Sequence, residues 1–189
     1  MSARATSGTG IHATAVVYGE CGVLILGPSG SGKSALALAL LGRARDAGVF
    51  GALVADDRVW VRRAGWRLMA SGAPHVAGLI ERRMVGLVTT PHEPAALVGL
   101  AVELSERGRT WPRLPDDRNV LTIEEVDLPR LALDSGQCAS DQALAVGERL
   151  ANMAADGVKR KGISLEHCAA VHKNGKVVGS RPASSTRDA

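Results

Sequence analysis

Lysine is nearly missing from most of this 189-residue chain. Lys33 is the sole lysine before Lys159, and every other basic side chain in that span is arginine. Codon composition explains the arginine bias. A lysine kept at one place marks a position that takes a compact ammonium and not a guanidinium fork. Aromatics are also scarce, with three Trp, one Tyr and one Phe, so the core must be built from Val, Leu, Ile and Ala. Cys21, Cys138 and Cys168 are far apart and form no C-x-x-C pair. This argues against a zinc ribbon or a disulfide framework and for a reducing, cytoplasmic setting. No apolar run approaches the ~18 residues of a membrane span, and the N-terminus has no apolar leader segment. The net charge of +4 is uneven: seven Lys/Arg and two Asp/Glu follow Gly157, leaving sixteen basic and seventeen acidic residues before it. The basic character belongs to the tail, so the body carries no nucleic-acid signal.

What is present is a strand, a glycine loop and a helix in immediate succession. Val23-Leu24-Ile25-Leu26 reads as a short buried strand. Gly27-Pro28-Ser29-Gly30-Ser31-Gly32-Lys33-Ser34 follows and fits the P-loop pattern G-x-x-x-x-G-K-[ST] at every fixed position. Ala35–Leu41, all Ala and Leu, is a strong helix former. The glycines let backbone N–H groups converge on phosphate oxygens, and the helix start adds unpaired N–H groups and a positive dipole end. Lys33 is expected on the β- and γ-phosphates of ATP and the Ser34 hydroxyl on Mg²⁺.

Length indicates one domain, and the succession of elements makes it α/β: a mainly β core with the P-loop helix and a C-terminal helix. The expected division is a loose end over 1–10, a catalytic domain over 11–156 and a basic flexible extension over 157–189. Ile11–Tyr18 should be a strand paired with Gly22–Leu26 across Gly19-Glu20. The P-loop helix should run to about Ala47, with Gly48 as its stop. Gly51–Ala55 reads as a strand, and Arg58–Arg63 with Trp66–Ala70 as a hairpin. Gly78–Leu87 has no clean period and reads as a short element beside a loop; Thr89–Pro94 reads as loop. Leu97–Leu104 is a strand and Ser105–Arg118 a linker. Val120–Leu133 reads as strand, with Pro129 excluding a central position. Ala139–Asp156 is a helix with Leu144, Ala145, Leu150, Ala151 and Met153 along one side.

Beyond the loop, three acidic or basic features invite chemistry. Asp56-Asp57 closes an apolar strand, where one carboxylate could serve a metal and another an incoming hydroxyl. Neighbouring strand residues face opposite ways, so one of the pair should face the phosphates unless the strand ends first. His12 lies on the strand beside the P-loop strand, and Glu81 sits between Leu79-Ile80 and Arg82-Arg83. Each has an ordinary reading as well: a strand-end turn, a satisfied structural histidine, a surface ion pair.

Together, His12, the P-loop, Leu53-Val54-Ala55-Asp56-Asp57-Arg58-Val59 and Leu79–Leu87 resemble the catalytic domain of HPr kinase/phosphorylase, over about Gly10–Leu133. The resemblance implies that family's PEP-carboxykinase-like fold, in a short form found in some α-proteobacteria without the usual N-terminal domain. It implies phosphorylation of a serine on HPr, the phosphotransferase-system carrier through which carbon metabolism is regulated, and possibly the reverse reaction. It casts Asp57 as proton acceptor, His12 as a catalytic neighbour that helps keep the carboxylate ionised, Lys33 as ligand and catalyst, and Arg113 in Pro112-Arg113-Leu114 as catalytic. Ser34 and Glu81 correspond to the Mg²⁺ ligands, and a homo-oligomer, often a hexamer, is implied. Two departures stand out: Met84 occupies a glycine position, and Asp134-Ser135-Gly136-Gln137 replaces an Arg-Pro-Gly-Arg-Asn loop tied to dephosphorylation. A P-loop kinase for a small molecule and a nucleotide-binding sensor without transfer are the alternative readings.

Overall fold

The computed structural model describes residues 8–106, 108 and 119–161, with side chains through 156. The first strand, β1 (Thr9–Tyr18), turns at Gly19-Glu20 into β2 (Cys21–Leu26). β1 starts two residues before the expected boundary. Gly10 pairs with Trp60, and its missing side chain leaves room for the Trp60 ring and the Arg58 side chain. The loop 27–32 then leads into α1 (Lys33–Asp46), which stops before Gly48 in its left-handed conformation, φ 66°.

β3 (Gly51–Ala55) and β4 (Arg58–Ala64) run along the same edge of β1, both antiparallel to it. They are one line of chain interrupted at Asp56-Asp57. β4 returns as β5 (Arg67–Ser71), and a 3₁₀ turn (Pro74–Val76) leads to β6 (Leu79–Arg82) and β7 (Gly86–Thr89). The last two form a separate two-stranded hairpin, where the sequence suggested a single short element. In the segment read as loop, His92 makes a bridge to Leu53.

β8 (Ala95–Leu104) is the hub. It pairs antiparallel with β5, parallel with β2 and parallel with β10 (Val126–Leu133). The pairing β1-β2-β8-β5-β4 therefore returns on itself in a closed ring. Gly22 permits the closure, since a Cβ there would run into the Leu97 carbonyl. β9 (Val120–Ile123) and β10 form a hairpin through Glu124-Glu125, both with positive φ. Pro129, expected to exclude a central position, lies in β10 between β8 and β9. It pairs with Val120 on the β9 side, and the ladder to β8 starts one residue later, at Arg130, so no sheet N–H is lost.

Strand alternation splits the core in two. Leu24, Val59, Val61, Leu68 and Ala101 fill the ring, whereas Val23, Ile25, Leu100 and Val102 face the helices. α1 packs there through Leu36, Ala37 and Leu40. α2 (Ala139–Lys161) lies beside α1, burying Ala143 and Val146 and packing Leu150 and Met153 against the cluster. The expected face holds at Ala145, Leu150 and Met153, which pack on the core; Ala143 and Val146 complete the buried stripe, while Leu144 is 42% exposed and Ala151 lies outside. Among the described residues, no helix is long and apolar enough to cross a membrane.

Candidate functional site

The glycine loop opens into a cleft of about 1690 Å³, lined by residues 29–34, His12, Asp57, Glu81, Arg82, Arg83 and the start of α2. The break between β3 and β4 builds its floor. Ala15 pairs with Ala55 and His12 with Arg58, so Thr14 lies opposite Asp56 in the same register. The Thr14 hydroxyl, fully buried, donates to Asp56 Oδ1 at 2.7 Å. Ser34 Oγ donates to the same oxygen at 3.0 Å, and the Glu81 backbone N–H reaches Asp56 Oδ2 at 3.3 Å. Asp56 therefore ties together β1, the start of α1 and β6.

Asp57 follows in the left-handed region, φ 62°. The strand has ended at Ala55, so the rule that neighbours face opposite ways no longer applies. Asp56 serves the Ser34 hydroxyl while Asp57 lines the cleft.

Lys33 is buried, with all three ammonium hydrogens used. It donates to the carbonyls of Gly27 and Pro28 at 3.0 Å each and to His12 Nε2 at 2.9 Å. Since an ammonium can only donate, His12 Nε2 accepts. Its Nδ1 then carries the proton and donates to the Asp57 backbone carbonyl at 3.1 Å. The family resemblance implies a His12 that helps keep the Asp57 carboxylate ionised, as a cationic ring would. The geometry instead uses a neutral ring that links the Lys33 ammonium to the Asp57 main chain. Burial lowers the Lys33 pKa, opposed by the Asp57 and then the Asp56 carboxylate.

Gly27, Pro28, Ser29, Gly30, Ser31, Gly32, Lys33, Ser34, His12, Asp57 and Glu81 are thus gathered around one cleft or its loop. Arg113 lies outside the described residues. Thr14 and Gln142 were not singled out from the sequence, and Ser135 was named only within the 134–137 segment. Thr14 lies two residues from His12 on the same face of β1, which was the available signal. Gln142 reaches the cleft from the first turn of α2, and Ser135 from just past the end of β10, where its N–H donates to Ser105 Oγ. Replacing Thr14 by Val removes a donor to a partly buried carboxylate. It is expected to lower stability by about 1–2 kcal/mol, measured as a shift of the urea midpoint at unchanged slope.

A family model described as HPr Serine kinase C-terminal domain matches residues 4–140. The chain belongs to this family. The HPr kinase/phosphorylase of Bacillus licheniformis is 34% identical over 137 residues, covering 66% of this chain and 42% of that protein. The Clostridium acetobutylicum protein of the same name is 32% identical over 139 residues, with the same shares covered. The chain therefore spans about 42% of the length of these curated relatives. Among solved structures, the Hpr(Ser) kinase/phosphatase from Coxiella burnetii matches with a TM-score of 0.63 at 22% identity. The match covers 78% of this chain and 97% of that one and shows a shared fold. Within the HPr serine kinase C-terminal domain, the matched span ends at the start of α2 and includes the cleft floor, the glycine loop and the β6–β7 hairpin.

Proposed function

We propose that this chain transfers the γ-phosphoryl group of ATP to a serine hydroxyl of an HPr-like phosphocarrier protein. The observation that carries this reading is the floor of the cleft. Asp57, whose carboxylate has no side-chain hydrogen bond among the described residues, stands in the cleft wall near the buried Lys33 ammonium, with the Ser34 hydroxyl held on Asp56. Phosphoryl transfer needs little covalent chemistry from the protein; it needs positioning and charge stabilisation.

Each residue then has a defined task. Residues 27–32 and the first N–H groups of α1 receive the phosphates. Lys33 exchanges its bonds to Gly27 and Pro28 for phosphate oxygens and keeps His12 as an anchor. Asp57 takes the proton of the acceptor hydroxyl. The donor set also suits Mg²⁺. Ser34, Asp56 and Glu81 offer hard oxygens, and no cluster of three or more metal-binding side chains occurs among the described residues. Mg²⁺ commonly sits on one or two protein oxygens plus substrate phosphates. When bound, it would neutralise charge on the transferring phosphates. The buried side-chain oxygens without a partner among the described residues, Ser31 Oγ and Ser135 Oγ, both belong to residues lining the cleft. Such orphans mark a site that a polar ligand completes.

In the segment after β10, Ser135 and Gln137 line the cleft. The test is transfer itself: purified protein, Mg²⁺, γ-labelled ATP and the HPr-like protein of the same organism. Label on a serine is the expected outcome. ATP binding with no labelled protein would overturn the reading in favour of a sensor, and label on a small molecule would favour a metabolite kinase.

A further inference from the structure

The β6–β7 hairpin carries a feature that nucleotide chemistry does not use. Its base is firmly held: Ile80 is fully buried, Val88 packs on the helix-side core, and the Glu81 N–H is bonded to Asp56. Its tip presents Met84, Val85 and Leu87 to solvent at 98%, 64% and 70% exposure. None of the three lines the cleft, whereas the adjacent Arg82 and Arg83 do. Met84 is also left-handed, φ 66°, a conformation that disfavours a long side chain. Conformational strain at an exposed apolar tip is kept where a function holds it.

We propose that this tip is the docking ridge for the protein acceptor: a small protein whose phosphorylatable serine is bordered by an apolar patch and by acidic side chains. The proposal rests on the kinase reading above. Three observations set the chemistry of the partner. The ridge is apolar and contiguous in sequence. The two arginines beside it form no ion pair among the described residues, so they offer charge to a partner's carboxylates. The ridge is also continuous, through Glu81, with the Asp56 carboxylate on the cleft floor. An acceptor seated on it would have its serine near Asp57 without entering the cleft as a whole.

The experiment uses the full chain with Met84, Val85 and Leu87 all replaced by Ser, and the HPr-like protein of the same organism as probe. Binding of that protein is measured by calorimetry and transfer by labelled ATP. The expected result is a KM and Kd for the acceptor raised about tenfold or more, with the KM for ATP and kcat at saturating acceptor unchanged. Added salt should weaken acceptor binding to the wild type, through Arg82 and Arg83. An unchanged acceptor KM would overturn the ridge while leaving the kinase standing. Acceptor binding without transfer by the wild type would overturn the kinase and leave the ridge. A change in mass by light scattering would assign the tip to contact between copies of this chain and overturn the proposal. An unchanged melting temperature keeps each result free of a folding defect.

Discussion

Replacing Asp57 by Asn is expected to cut phosphate transfer to the acceptor by about 10²–10⁴-fold, with nucleotide affinity held within a few-fold. Three features make this a clean test. Asn is isosteric with Asp and is one of the few residues that tolerates the left-handed region Asp57 occupies, φ 62°. The hydrogen bond from His12 goes to the Asp57 backbone carbonyl, so the substitution leaves it in place. Asp56, which holds Ser34 and the hairpin, is untouched. What is lost is a group able to take a proton from the acceptor hydroxyl, along with a negative charge close to Lys33. Single-turnover transfer measured beside a nucleotide titration separates the two properties. Transfer at half the wild-type rate or better would mean that another group accepts the proton.

Replacing Lys33 by Met should instead weaken nucleotide binding sharply. Truncating one member of a buried charged contact costs about 2–5 kcal/mol, roughly thirtyfold to several-thousandfold in Kd. Folding should respond differently. Lys33 is buried and burial lowers its pKa, so the charged form is less favourable in the native state than in the unfolded chain. Met removes that cost together with three hydrogen bonds, and these changes oppose each other. The melting temperature is therefore expected to move little while binding weakens. The wild type has a related pH signature. A native pKa below the usual 10.5 means that the unfolded chain holds this proton to higher pH. The contribution of Lys33 to stability accordingly rises as pH climbs through its native pKa toward 10.5. Nucleotide affinity moves the opposite way, because the neutral amine no longer attracts phosphate. An alkaline fall in wild-type ATP affinity, beside a rise in the wild-type urea midpoint over the same pH range that Lys33→Met lacks, would show both effects. Affinity flat up to the ordinary lysine range would contradict the lowered pKa.

The features legible in the sequence share a short range. The loop 27–34 is specified by glycine conformational freedom, one ammonium and one hydroxyl within eight residues. α1 follows from a run of Ala and Leu, and its stop from Gly48. The β4–β5 hairpin follows from two β-rich runs about a glycine. Where local signals were weak, the reading lost detail. The β9–β10 hairpin turns on two glutamates in the left-handed region, which no turn propensity announces. The β6–β7 hairpin has no alternation because its tip is exposed on both strands. On α2, several apolar positions could have defined the stripe, and the choice among them fell to the surface of α1.

By itself, then, the sequence determined the glycine loop, the helix behind it, the strand before it and the presence of two adjacent carboxylates at the end of another strand. It also put His12 on the strand beside the loop. The tertiary structure alone decided how these meet. β1 pairs with β3 and β4 in a register that sets Thr14 opposite Asp56, and the strand breaks there, so that Asp56 holds Ser34 while Asp57 lines the cleft. The ring closes because β2 meets β8 at a glycine, Gly22 against Val98, 76 residues away. The His12 ring becomes an acceptor for Lys33 in place of a second cation. These outcomes depend on which distant backbone edges satisfy one another and which side chains fit between them, and no window of a few residues contains that information.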